Sequence, residues 1–184
     1  MTPKALIIAG MLLLKQGDFT GAITNFSKAV AADHNSAEGY TDRALAYIKL
    51  GKLTEAISDT TQAIEIDPKD ATAYYLRGSI YYDQGIPIQA IDDFTQAIAI
   101  NPKVAKAYMA RALTYLRDNN PDDAIVDLTA VITINPNYAR AYFNRAVGYF
   151  QLKQYDKAWA DVHKAQALGT TINPDFIEAL KKAK

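Results

Sequence analysis

Residues 71–104 read ATAYYLRGSIYYDQGIPIQAIDDFTQAIAINPKV. Apolar residues recur at three- and four-residue spacing on both sides of Gly85, which is the pattern of two amphipathic helices in succession. Gly85 suits the left-handed residue that closes the first, and Asn101-Pro102 closes the second, because proline cannot continue a helix. The stretch is therefore one helical hairpin. The same register extends outward without a gap to residues 37–70, 105–138 and 139–172, and residues 3–36 fit ahead of them. The left-handed closing position is filled by Gly17, Gly51, Gly85 and Asn119, and the second helices end near Asp67-Pro68, Asn101-Pro102 and Asn135-Pro136. A fixed period of this size means stacked units that bury a shared core, so the self-similarity decides the fold before any single helix does.

Alanine recurs once per period at Ala22, Ala56, Ala90, Ala124 and Ala158, as expected where the two helices of a unit cross closely. Residues 71–104 also carry Tyr74, Arg77, Gly78, Tyr81, Ala90, Phe94 and Pro102. With that spacing the chain resembles the tetratricopeptide repeat (TPR) family along nearly its whole length. The resemblance implies an all-α fold, a right-handed superhelical solenoid of antiparallel helix hairpins. The expected organisation is a single domain, 1–184, with repeats 3–36, 37–70, 71–104, 105–138 and 139–172 and a capping helix 173–184. Departures from the pattern are His34 and Thr170 in place of the proline and Lys153 in place of the glycine; they bear on local turns. Asn173-Pro174 reads as an N-cap with proline in the first turn, opening a helix with Phe176, Ile177 and Leu180 inward and Lys181, Lys182 and Lys184 at its end. Such a helix gives a solenoid the polar outer face at which it can finish.

Composition narrows the function classes. The chain has 184 residues, 49% hydrophobic and 22% charged, with 20 Lys+Arg against 20 Asp+Glu and no cysteine. A zero formal charge argues against phosphate-backbone binding, which depends on clustered Lys and Arg. The lack of cysteine removes thiol catalysis and Cys-based zinc sites. The longest apolar run, residues 5–14, is half of the roughly 20 residues that span a bilayer. Lys15-Gln16-Gly17-Asp18 follows it where a secretory signal would need small residues for cleavage. The expected compartment is the cytoplasm, with the periplasm as the alternative. His34 and His163 have no metal-ligand neighbours at helical spacing, and no phosphate-binding glycine loop or nucleophile motif occurs. No catalytic residue, metal or cofactor is expected.

Three further ladders step by the same period. Tyrosines stand at Tyr40, Tyr74, Tyr108 and Tyr142 and again at Tyr47, Tyr81, Tyr115 and Tyr149, and their first reading is packing between stacked hairpins. Arginines stand at Arg43, Arg77, Arg111 and Arg145, where the family pattern usually has leucine. A partly enclosed guanidinium needs a partner, and the second helices supply Asp59, Asp93, Asp127 and Asp161. The first unit has Ala9 and Asn25 instead, so arginine and aspartate appear and vanish together within one sequence. A repeated ion pair is the expectation, with an anion-binding stripe as the alternative.

In the family, ligands lie against one face of each first helix. The resemblance puts three rows there: Ile7, Thr41, Tyr75, Met109 and Phe143; Met11, Leu45, Ser79, Leu113 and Val147; Leu14, Ile48, Tyr82, Leu116 and Phe150. Their apolar character reads either as a peptide-binding groove or as core between helices. Lys106, Arg117, Arg140 and Asn144 give the last two units a basic edge, whereas Lys4, Lys15 and Lys49 are mixed with Glu38, Asp42 and Asp83 in the first three. The family's two-carboxylate clamp for chaperone tails wants Lys and Asn four apart in this register, and pairs such as Phe143/Val147 do not supply it.

These readings make the chain a non-enzymatic scaffold for a protein or peptide partner, one with an apolar or amphipathic segment that has an acidic end near the last two units. The alternative is a structural module that self-associates through its apolar first helix and groove face. Leu6, Ile7, Ile8, Met11, Leu12, Leu13 and Leu14 cover almost every direction around that helix, which points to a cover from a second copy, a neighbouring segment or the ligand.

Overall fold

The computed structural model describes residues 1–183. Lys184, expected at the end of the capping helix, lies outside them. Among the described residues the chain is all-helical: α1 (Pro3–Gln16), α2 (Phe19–Ala32), α3 (Ala37–Lys49), α4 (Leu53–Ile66), α5 (Ala71–Asp83), α6 (Pro87–Ile100), α7 (Ala105–Arg117), α8 (Pro121–Ile134), α9 (Ala139–Gln151), α10 (Tyr155–Ala167) and α11 (Pro174–Lys182). They form consecutive hairpins within two compact units, the first spanning Met1–Ile100 and the second beginning at Asn101. No helix among the described residues is long and apolar enough to cross a membrane.

In the first unit α1 packs on α2, α3 on α4 and α5 on α6, and α2 and α4 each also pack on the first helix of the next hairpin. The crossing residues Ala22, Ala56 and Ala90 are completely buried, and Phe26 and Phe94 fill the space beside the first and third. In the second unit α7 pairs with α8, α8 packs on α9, and α9 pairs with α10. Ala124 and Ala158 are buried at the corresponding crossings, with Leu128 and Val162 one turn on. α11 completes this unit by burying Leu180 among Tyr142, Ala146, Ala158, Val162 and Ala165.

The turns explain why the departures from the repeat pattern are tolerated. Each first helix closes with a left-handed residue after which the chain reverses; Lys153 takes that conformation at φ 58°, as Asn119 does at φ 57°. Gln154 N–H donates to the Tyr149 carbonyl at 2.8 Å and Lys153 N–H to that of Phe150 at 2.9 Å. That is the same closure Gly51 and Lys52 make, so lysine preserves the turn at some backbone cost. After α2 the proline is missing, yet the Asp33 carboxylate accepts from Asn35 N–H at 3.0 Å, as the Asp67 carboxylate accepts from Lys69 N–H at 2.9 Å. The same side-chain turn thus forms with or without the proline.

Candidate functional site

The arginine ladder is structural. Each guanidinium grips its aspartate through two donors: Arg43 Nε and Nη2 reach Asp59 at 2.7 and 2.8 Å, and Arg77 reaches Asp93 at 2.9 Å through both. Arg111 reaches Asp127 at 2.8 Å through both donors, and Arg145 reaches Asp161 at 2.7 and 2.9 Å. Hydrogen bonding to the aspartate raises each guanidinium above its ordinary pKa, outweighing the opposing effect of burial. The tyrosine ladders are not simply core. Arg43 lies 5.5 and 5.9 Å from the ring centroids of Tyr40 and Tyr47, and Arg145 lies 5.7 and 5.8 Å from those of Tyr142 and Tyr149. The rings enclose the guanidinium and lower the cost of its partial desolvation.

A third partner escaped the sequence reading. Arg43 Nη1 donates to Ser27 on the preceding hairpin at 3.2 Å; Arg77 does so to Thr61 and Arg145 to Thr129, each at 3.1 Å. Each such arginine therefore joins its own two helices and also hooks them to the hairpin before. The signal was present as a small hydroxyl residue recurring at the repeat period.

The three apolar rows divide by unit. In the first unit Ile7 is buried with Leu6, Ala22 and Phe26, and Met11 and Leu14 are half-buried against the same cluster. Leu45 and Ile48 are half-buried, Ile48 beside Ala44, Ala56 and Ile80. Thr41 is buried and donates its hydroxyl to Asp70 at 2.6 Å. Tyr75 lies 5.9 Å from Phe94, and Tyr82 is half-buried. In the second unit Met109 is buried and Leu113, Leu116 and Val147 are half-buried. Phe143 and Phe150 are half-buried, each partly covered by the chain itself: Phe176 of α11 lies 5.5 Å from one ring and 5.4 Å from the other.

One depression of about 630 Å³ in the second unit is lined by Met109, Leu113, Tyr138, Arg140, Phe143, Asn144, Thr170 and Thr171. Its size is in the range of ligand-binding clefts, and its make-up, an apolar floor with a few polar groups, is of that kind too. Of the four residues expected at the polar edge, Arg140 and Asn144 line it; Lys106 and Arg117 are exposed elsewhere on α7 and are engaged within the protein. Tyr138, Thr170 and Thr171 could not be found from the rows, because they lie in the connections before α9 and before α11.

The first unit carries a depression of opposite character, about 250 Å³, lined by Ala37, Glu38, Thr41, Asp42, Asp67, Asp70 and Thr72. Burial, reinforced by the charges of Glu38 and Asp70, pushes the Asp42 carboxyl up to about 6. Among the described residues no group of three or more His, Cys, Asp or Glu could hold a metal ion.

Comparison with known proteins agrees with this architecture. The model described as "TPR repeat" matches residues 10–51 and 44–85, and two models described as "Tetratricopeptide repeat" match 71–104 and 109–169. Two crystal structures of MamA are similar to this chain. One has 28% identity and TM-score 0.82, covering 94% of this chain and 98% of that one; the other has 31% identity and TM-score 0.81, covering 86% and 93%. YrrB, a TPR protein with an unusual peptide-binding site, shares the fold at 21% identity and TM-score 0.78, covering 96% of this chain and 89% of its own. No curated protein matches the sequence. The 34-residue hairpins, the buried alanine crossings and the family models that follow one another along nearly the whole sequence give one answer: the chain belongs to the tetratricopeptide repeat family.

Proposed function

We propose that the chain is a non-enzymatic protein-interaction scaffold whose first-helix face binds an apolar or amphipathic peptide segment. The observation that carries this reading is the depression over Met109, Leu113 and Phe143. Leu113 and Phe143 are only half-buried there, and a ligand side chain that covered them would gain the burial they lack. The face of Met11, Leu14, Leu45, Ile48, Tyr75 and Tyr82 in the first unit extends the same reading. The test is capture on an array of short peptides of varied sequence. Wild type should enrich peptides rich in bulky apolar residues, Leu113→Asp should abolish the enrichment with helical circular dichroism retained, and Asp123→Ala on α8 should be silent. Loss of helicity in Leu113→Asp would make the residue core and sink the reading, as would an array without enrichment.

A second reading, self-association through α1, is favoured by Ile8 and Leu12, one turn apart and 62% and 57% exposed. Two large apolar side chains on one stripe of a helix are a natural seam for a second copy. Light scattering should then show a concentration-dependent dimer that Ile8→Glu with Leu12→Glu returns to monomer. A wild type that stays monomeric at high micromolar concentration would remove this reading.

A further inference from the structure

We infer that the depression in the second unit selects a peptide segment in which a bulky apolar residue has an Asp or Glu within two positions of it, the side-chain carboxylate being held by Arg140 and Asn144. The inference rests on the peptide-binding reading above and adds the chemistry of the ligand.

Arg140 and Asn144 are four residues apart on α9, so they stand one above the other on one helix face. Both line the depression. The ladder arginines spend their donors on aspartates, but Arg140 makes no hydrogen bond or ion pair with any described residue, and it is exposed. Asn144 is underused in another way: its Nδ2 donates to the Met109 sulfur at 3.4 Å. A thioether is a weak acceptor, and a carboxylate oxygen would be a much stronger one. No Asp or Glu lines the depression, so nothing inside it neutralises the guanidinium.

The arrangement also orders the ligand. Buried Met109 and half-buried Leu113 and Phe143 make a floor where a carboxylate would lose its hydration without a partner. The apolar side chain therefore takes the floor and the carboxylate the mouth, beside Arg140. In an extended segment residues two apart project from the same face, which lets one ligand satisfy both. One guanidinium and one amide serve a single carboxylate. We assign it to a side chain, because a side chain two residues from the apolar one projects from the same face of the extended segment.

The test uses the full chain and two arrays of short random peptides, one acetylated and amidated so that no terminal charge remains, the other with free carboxyl termini. On the amidated array wild type should enrich Asp and Glu within two positions of a bulky apolar residue. Arg140→Glu should invert that preference to Lys and Arg, and should weaken the best acidic peptides at least tenfold in fluorescence anisotropy; Arg140→Lys should keep the sign. Apolar enrichment with no acidic preference, a preference that survives Arg140→Glu, or one confined to the free-carboxylate array would overturn this inference and leave the peptide reading standing. An array without any enrichment would overturn both.

Discussion

Hairpins α1–α2 and α3–α4 share one register, yet different forces close them. In α1–α2, Ala9 and Asn25 stand where Arg43 and Asp59 stand in α3–α4, and the Asn25 amide turns back to the Gly21 carbonyl at 3.3 Å. Leu6, Ile7, Ala22 and Phe26 hold this hairpin together. Its helices approach closely enough that a Cβ on Gly10 would lie 2.5 Å from Phe26 Cε1. In α3–α4 the two-pronged Arg43–Asp59 pair closes the hairpin, and the third donor of Arg43 hooks it to Ser27 on α2. Even the outer surface differs, since Ile8 occupies the position of Asp42. Apolar contact is enough to hold a hairpin, but it is non-directional. The ion pair adds geometry, and its cost appears only when one partner is taken away.

The largest expected effect breaks the comparison directly. Asp59→Ala strands a guanidinium that the fold has partly desolvated and should cost about 3 kcal/mol in urea unfolding, whereas Asn25→Ala should cost less than about 1 kcal/mol. Equal losses would mean that the pair contributes no more than the asparagine it replaces. Next in size is local stability. Amide hydrogen exchange should find α1 and α2 opening more easily than α3 and α4, because α3–α4 packs on α2 and on α5 while α1–α2 packs on one neighbouring hairpin. The missing ion pair adds little to that difference, since Ala9 and Asn25 leave no charge stranded. Uniform protection across the four helices would show that the neighbouring hairpins do not set local stability.

A smaller effect sharpens the contrast between Ile8 and Asp42. The folded state holds the Asp42 carboxyl at about 6 against 3.8 for the free group, so it prefers the protonated form. The stabilisation from that preference is full below the unfolded value and is lost as pH rises through the folded one. Asp42→Asn should therefore stabilise the protein by about 1 kcal/mol near pH ~8, after allowance for solvent screening, and change little near pH ~4. A pH-independent effect would remove the acidic edge as its cause. The smallest effect concerns a turn. Lys153→Gly relieves a left-handed lysine, and since glycine costs more chain entropy the net gain should be only about 0.5 kcal/mol in thermal unfolding. A loss there would mean that Lys153 makes a compensating contact that the first hairpins, closed by Gly17 and Gly51, do without.

Much of this molecule can be read without coordinates because its determinants are local and repeated. Ala56, Gly51 and Pro68 each impose a backbone or size requirement that recurs at one spacing, so the hairpin and its ends follow from periodicity. The arginine and aspartate ladders are legible for a further reason: a guanidinium near a core must be paired, and Ala9 with Asn25 shows the two changing together. The hydroxyl of Ser27 was harder to see, because a small polar residue on a helix has many ordinary explanations.

The candidate site divides in the same way. By itself the sequence determined the helices, their pairing into 34-residue hairpins, the family, and which first-helix face is apolar, since each follows from spacing along one chain. Only the tertiary structure decided how those apolar positions are used. It buried Ile7 and Met109, drew Phe176 across Phe143 and Phe150, and brought Thr170 and Thr171 beside Arg140 and Asn144. Helical periodicity says which way a side chain points, but what it meets depends on helices and connections far along the chain, and their approach is settled by close packing of the whole unit.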